Sequence, residues 1–241
     1  MKGALYLLTA PVLLYQARQT RRYALRLPEP AGDRQGVSGQ GTALRVLVLG
    51  DSAAAGVGCE HQSEAITGQW VRRLAKDYEV HWQLVACSGL NCAETLSLLK
   101  QEPLQHKQVD AVLISVGVND VTGRTGIRDW YRQLEQLSDY LTQTLKTRCI
   151  LYTALPPMHA FPVLPGLLRR YLGDRAKTLD VCLRRHCEAH TNTFYLEPGL
   201  PLTPEMMATD GFHPSTNAVK VWAEKACGSL LSVLHEQGLA N

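Results

Sequence analysis

The chain has 241 residues, which is room for one α/β domain of ordinary size and a terminal segment. Its residues are 45% hydrophobic and 20% charged, the balance of a packed core under a solvated surface. The net charge is only +3 and the basic residues are mostly scattered, so composition excludes a nucleic-acid-binding footprint.

Residues 3–15 form a short apolar run, with Lys2 before it and Arg18, Arg21, Arg22 and Arg26 after it. The run is shorter than the ~20 residues that a spanning helix needs. We favour an uncleaved anchor that dips into a membrane, giving peripheral membrane contact through residues 3–15. A signal peptide is the second reading, weakened by a poor small-residue cleavage pattern. A helix packed on the domain stands nearly level with the anchor. Arginines after the run favour a cytoplasmic, membrane-associated domain, with an exported protein as the alternative. Residues 1–27 are thus set apart. Residues 28–42, rich in Gly and Pro, are expected to be a linker, and 43–241 the folded domain.

From Leu44 onward strands and helices alternate. Buried strands are predicted at 44–50, 80–86, 110–117 and 149–155, with a short fifth at 193–197. Helices are predicted at 65–78, 93–101, 127–147, 166–190 and 215–236. Continuous apolar strands separated by helices imply a parallel sheet covered on both faces, of flavodoxin-like topology. Seven cysteines cannot all pair within the chain, and they read mostly as reduced thiols. Cys87 and Cys149, at or beside apolar runs, are expected to behave as small core residues.

Functional groups of such sheets gather just past the carboxyl ends of the strands. Four polar or glycine clusters stand there: Gly50-Asp51-Ser52, Ser88-Gly89, Gly117-Val118-Asn119-Asp120 and, after the fifth strand, Asp210-Gly211-Phe212-His213-Pro214. Acyl transfer requires this set of groups. A serine hydroxyl needs a base to accept its proton, and His213 can serve Ser52 in that way. Asp210, three residues before His213, can orient the imidazole. The backbone N–H groups of Ser52 and Gly89 and the side-chain amide of Asn119 can form an oxyanion hole. Asp51 and Asp120 read as structural turn residues.

These residues resemble the SGNH hydrolase family (GDSL-type esterases and lipases), whose name lists Ser, Gly, Asn and His. The blocks stand here as Gly50-Asp51-Ser52, as Gly89, as Gly117-Val118-Asn119-Asp120 and as Asp210-Gly211-Phe212-His213, in order, over about residues 44–236. The first block continues AAAGVG, where many members have a bulkier GDSL-like continuation. The resemblance implies a three-layer α/β/α sandwich that hydrolyses a small acyl ester or thioester without a metal or other cofactor. A carbohydrate acetylesterase of the same fold is the alternative. A non-catalytic flavodoxin-like binding module is a weaker one, since no phosphate-cradling motif such as GxxxxGK[ST] is present.

Two further features invite functional readings. The apolar, Pro-rich stretch 154–168 follows the fourth strand and is expected to line an acyl pocket through Phe161, Val163 and Leu164. His159 within it has no carboxylate at matching spacing and ranks below His213 as a base. Cys182, His186 and His190 share a helix face, but three ligands along one helix do not close a tetrahedral site, so no metal is expected there.

Overall fold

The computed structural model describes residues 6, 8–201 and 203–236. At its centre is a six-stranded sheet: β1 (Gln35–Ser38), β2 (Thr42–Gly50), β3 (Tyr78–Ala86), β4 (Ala111–Ser115), β5 (Cys149–Thr153) and β6 (Thr193–Leu196). The spatial order is β1-β3-β2-β4-β5-β6. All neighbouring pairs are parallel except β1 with β3. Without β1, the order is that of a flavodoxin-like sheet, as expected.

The central strands are apolar on both faces because both are covered. Along β2, Leu47 and Leu49 join one core cluster while Val46 and Val48 join the other. The first cluster takes in helices α4 (Cys92–Gln101), α6 (Ile127–Asp139) and α7 (Gly166–Ala189), with Trp130, Leu134 and Leu137 fully buried. The second takes in α3 (Ile66–Leu74) and α8 (Thr216–Glu236), through Trp70, Leu74, Trp222 and Leu230. Helix on sheet on helix gives the three-layer sandwich. Helix α6 runs on into a wider π turn through Tyr140–Thr144.

Residues 28–42 are not a linker. Gln35–Ser38 pair antiparallel with Val80–Gln83, extending the sheet by one edge strand. Ala31 bridges to His61, and Gln62 Nε2 donates to the Pro30 carbonyl at 3.3 Å. The free edge of β3 supplies the hydrogen-bonding partners that this Gly-rich segment cannot supply for itself. The predicted strands also end early. β4 stops at Ser115 and β5 at Thr153, where the chain leaves the sheet to build loops.

The expectation for residues 3–15 falls partly on residues 3–5 and 7, which lie outside the described ones. The described part belongs to helix α1 (Ala10–Tyr23), which lies on α7. Leu13 is buried in the first core cluster, and Gln16 accepts from the Leu168 N–H at 2.9 Å. Tyr6 donates to Asp174 at 2.7 Å. Val12, Leu14 and Tyr15 face outward. Among the described residues, no helix is long and apolar enough to cross a membrane. All seven cysteines are free thiols. Cys149 is buried as expected, but Cys87 is exposed, because it lies just past the end of β3.

Candidate active site

Strand order reverses between β2 and β4, and the loops at their carboxyl ends part there. Ser52 stands at this point. Asp51 N–H donates to the Ser115 carbonyl at 3.0 Å, and Cys87 N–H donates to the Gly50 carbonyl at 3.2 Å, so the end of β2 is tied on both sides. Gly50 has φ +153°, and a Cβ there would lie 2.0 Å from the Ser115 oxygen, so only glycine fits. The buried Asp51 carboxylate accepts from Ala53 N–H at 3.1 Å and caps the short turn α2 (Ser52–Ala55) that presents Ser52. This is the structural role expected of Asp51.

His213 reaches Ser52 from the loop before α8. Its Nε2 lies 2.9 Å from Ser52 Oγ, and its Nδ1 lies 2.6 Å from Asp210 Oδ2. Asp210 Oδ1 accepts from the backbone N–H groups of Phe212 at 2.9 Å and His213 at 3.0 Å. One carboxylate therefore shapes the turn and orients the ring. Burial acts to raise the Asp210 carboxyl, but the hydrogen bonds from His213 and Phe212 outweigh it, and the group sits below its ordinary value.

The other two clusters lie on neighbouring loops. Gly89 adopts φ +90°, and a Cβ there would meet nothing within 4 Å, so its backbone faces open space. Asn119 lies in α5 (Val118–Gly123), and its Nδ2 donates to the Leu90 carbonyl at 3.0 Å. That bond uses one of two amide hydrogens and joins the Gly89 loop to the Asn119 helix. Among the described residues, no protein group accepts from the backbone N–H of Ser52 or of Gly89. Asp120 is structural, as expected. It accepts from Cys92 N–H at 3.0 Å and Thr125 Oγ1 at 2.9 Å, and its burial raises its carboxyl pKa.

Ser52 and His213 open on a cleft of about 1180 Å³. Phe161 lines it and stacks edge-on against Phe212 at 5.1 Å between ring centres. Val163 and Leu164 do not line it. The chain turns back after the 3₁₀ segment Met158–Ala160, which sends Leu164 into the core and sets Val163 behind Gly211. His159 lies on the cleft wall but not against Ser52. Polar groups also line it, with Lys177, Asp180 and Arg184 of α7 and Glu197 after β6.

One supporting residue was invisible in the sequence. Glu29, inside the expected linker, accepts from both N–H and Oγ of Ser88 at 2.7 Å and pairs with Arg34 at 3.1 Å. Arg34 in turn donates to the Ala86 carbonyl. The loop that carries Gly89 is thus held from outside the matching blocks.

A second Ser–His–acid chain occurs elsewhere. Ser138 Oγ lies 2.8 Å from His186 Nε2, and His186 Nδ1 lies 3.0 Å from Glu135 Oε1. Ser138 is 3% exposed and His186 0%, between α6 and α7, and neither meets the cleft. A substrate carbonyl has no route to that serine, whereas Ser52 is half-buried and faces the cleft.

Residues 48–220 match the GDSL-like lipase/acylhydrolase family. The chain belongs to this family of hydrolases. Comparison with curated proteins finds no match. Solved structures share the fold. The lipase Lip_vut3 from a goat rumen metagenome is 19% identical, with 77% of this chain and 97% of that one covered and a TM-score of 0.60. The psychrotrophic esterase EstA from Pseudoalteromonas sp., inhibited by monoethylphosphonate, is 19% identical, covering 79% and 98%, with a TM-score of 0.58. TesA is 21% identical, covering 79% and 99%, with a TM-score of 0.62.

Proposed function

We propose that this GDSL-like hydrolase is a serine esterase that cleaves carboxylic esters or thioesters through an acyl-enzyme. The observation that carries the reading is the unbroken hydrogen-bonded chain from Ser52 through His213 to Asp210, opening on the cleft. Ser52 Oγ attacks the acyl carbonyl while His213 Nε2 takes its proton. The imidazolium that forms is stabilised by Asp210 and then gives the proton to the leaving group. Water attacks the acyl-enzyme by the same route, which frees the acid and restores Ser52. The N–H groups of Ser52 and Gly89 and the second amide hydrogen of Asn119 serve the oxyanion.

The apolar side of the cleft, with Leu155, Phe161 and Phe212, suits an acyl chain. Its polar α7 wall favours a second reading, removal of short acyl groups such as acetyl from a polar molecule like a carbohydrate. A p-nitrophenyl ester series from acetyl to palmitoyl separates the two through its chain-length profile. Ser52→Ala is expected to fold like wild type, to lose nearly all turnover and to resist labelling by an alkyl phosphonate. Full activity in Ser52→Ala would refute the mechanism. Asn119→Ala is expected to lower kcat by roughly 100- to 1000-fold, the cost of one oxyanion donor; an unchanged kcat would remove Asn119 from that role.

A further inference from the structure

We propose that Glu135, His186 and His190 form a site for a divalent transition-metal ion, zinc being the ion of choice, between α6 and α7. The expectation of no metal rested on Cys182, His186 and His190 lying along a single helix. The tertiary structure replaces Cys182 with a ligand from across the interface. Glu135 of α6 projects between the two imidazoles, and one donor atom from each of the three residues falls within 4.8 Å of the others.

The donor atoms are spaced for an ion. His186 Nδ1 lies 3.0 Å from Glu135 Oε1, and His190 Nε2 lies 3.2 Å from Glu135 Oε2. Ligands at ordinary zinc–nitrogen and zinc–oxygen distances in a tetrahedral shell stand about 3.3 Å apart. The His190 ring is also held in the required tautomer. His190 Nδ1 lies 2.9 Å from the His186 carbonyl, which can only accept, so that nitrogen carries the hydrogen. In the neutral ring, Nε2 is then a bare lone pair aimed at a carboxylate oxygen. Two acceptors face each other there, and a proton or a cation must lie between them.

His186 has partners that permit the matching tautomer. Its Nε2 meets Ser138 Oγ at 2.8 Å, and Ser138 Oγ meets Tyr152 hydroxyl at 2.9 Å. Both hydroxyls can donate or accept, so the pair can take the Nε2 hydrogen and leave Nδ1 free to ligate. Outer-shell hydrogen bonds of this kind are what orient ligating histidines. His186 is fully buried while Glu135 and His190 are about one-third exposed, so an ion can enter from solvent and keep a water ligand. None of the three residues lines the cleft, and α7 carries the cleft wall on its other side. A bound ion would cross-link α6 to that helix.

The test is zinc titration calorimetry on the full chain after chelator treatment, with cobalt absorption spectra alongside. The expected result is one equivalent of zinc bound by wild type and by Ser52→Ala, with a rise in Tm. Affinity should fall at least 10-fold in His190→Ala and in Glu135→Gln, both at half-buried positions where folding can be checked by circular dichroism. Bound cobalt should give the visible d–d bands of a four-coordinate ion with no thiolate charge-transfer band. Three results would each overturn the proposal: no stoichiometric binding by wild type, wild-type affinity in both variants, or a thiolate band that assigns the ion to cysteine.

Discussion

Two aspartates near Ser52 are pulled in opposite directions by their surroundings. Asp210 is held below its ordinary value, so its carboxylate stays ionised as the partner of His213. Asp51 is pushed up from 3.8 to about 7 by burial, with the Ala53 N–H and the charge of His213 only partly opposing this. The folded protein therefore holds the Asp51 proton more tightly than the unfolded chain does. That contribution to stability is complete below the unfolded value near 3.8 and is lost as pH rises to about 7. Asp51→Asn keeps an acceptor for Ala53 and has no proton to lose. Its Tm should gain on that of wild type between about pH 4 and about pH 8. A constant difference in Tm would mean that Asp51 ionises as freely folded as unfolded. The catalytic candidates themselves were legible, because each breaks an apolar run at the point where a strand must end. The opposed environments of Asp51 and Asp210 were not, since both are simply aspartates in glycine-containing turns until the fold buries one among hydrophobic neighbours and surrounds the other with donors.

Among the elements, the least legible was the segment before β2. Gln35-Gly36-Val37-Ser38 has too few residues for an alternating pattern to show, and its glycine argues against a strand on its own. It becomes one because β3 offers an unpaired edge. The same segment brings Glu29 to Ser88, so this apparent linker positions the Gly89 loop. Glu29→Ala should lower kcat up to about 100-fold, the scale of a misplaced catalytic group, with little change in KM. Glu29→Gln, which keeps an acceptor for Ser88, should recover much of the loss. Equal activity in all three proteins would show that the loop holds itself. The 154–168 stretch illustrates the opposite difficulty. Its apolar character was legible, but which of Phe161, Val163 and Leu164 faces the cleft depended on a turn closed by Leu164 N–H on the Phe161 carbonyl.

For the molecule as a whole, helix α1 is an addition to one outer layer rather than part of the sheet. It buries Leu13 and bonds α7 through Gln16, on the helix that walls the cleft. Burial of one leucine contributes roughly 2 kcal/mol. Removal of residues 1–24 should therefore lower unfolding free energy by about that amount or more in urea titration, while hydrolysis of a short ester persists. Loss of all ester hydrolysis in a truncated protein that remains folded would make α1 part of the site. The strand order, with its reversal between β2 and β4, is what brings loops from residues 50, 89, 119 and 213 to one edge.

The amino-acid sequence by itself determined the layered α/β architecture, the flavodoxin-like order of the parallel strands and the residues gathered at their ends. Those properties follow from local rules: apolar runs that need cover on both faces, and polar or glycine clusters where runs stop. Only the tertiary structure decided that residues 35–38 pair with β3, that Leu164 faces the core rather than the cleft, and that Glu135 meets His186 and His190. Each of these depends on a partner far away in the chain, and a contact made across the fold leaves no periodic trace in the residues that make it.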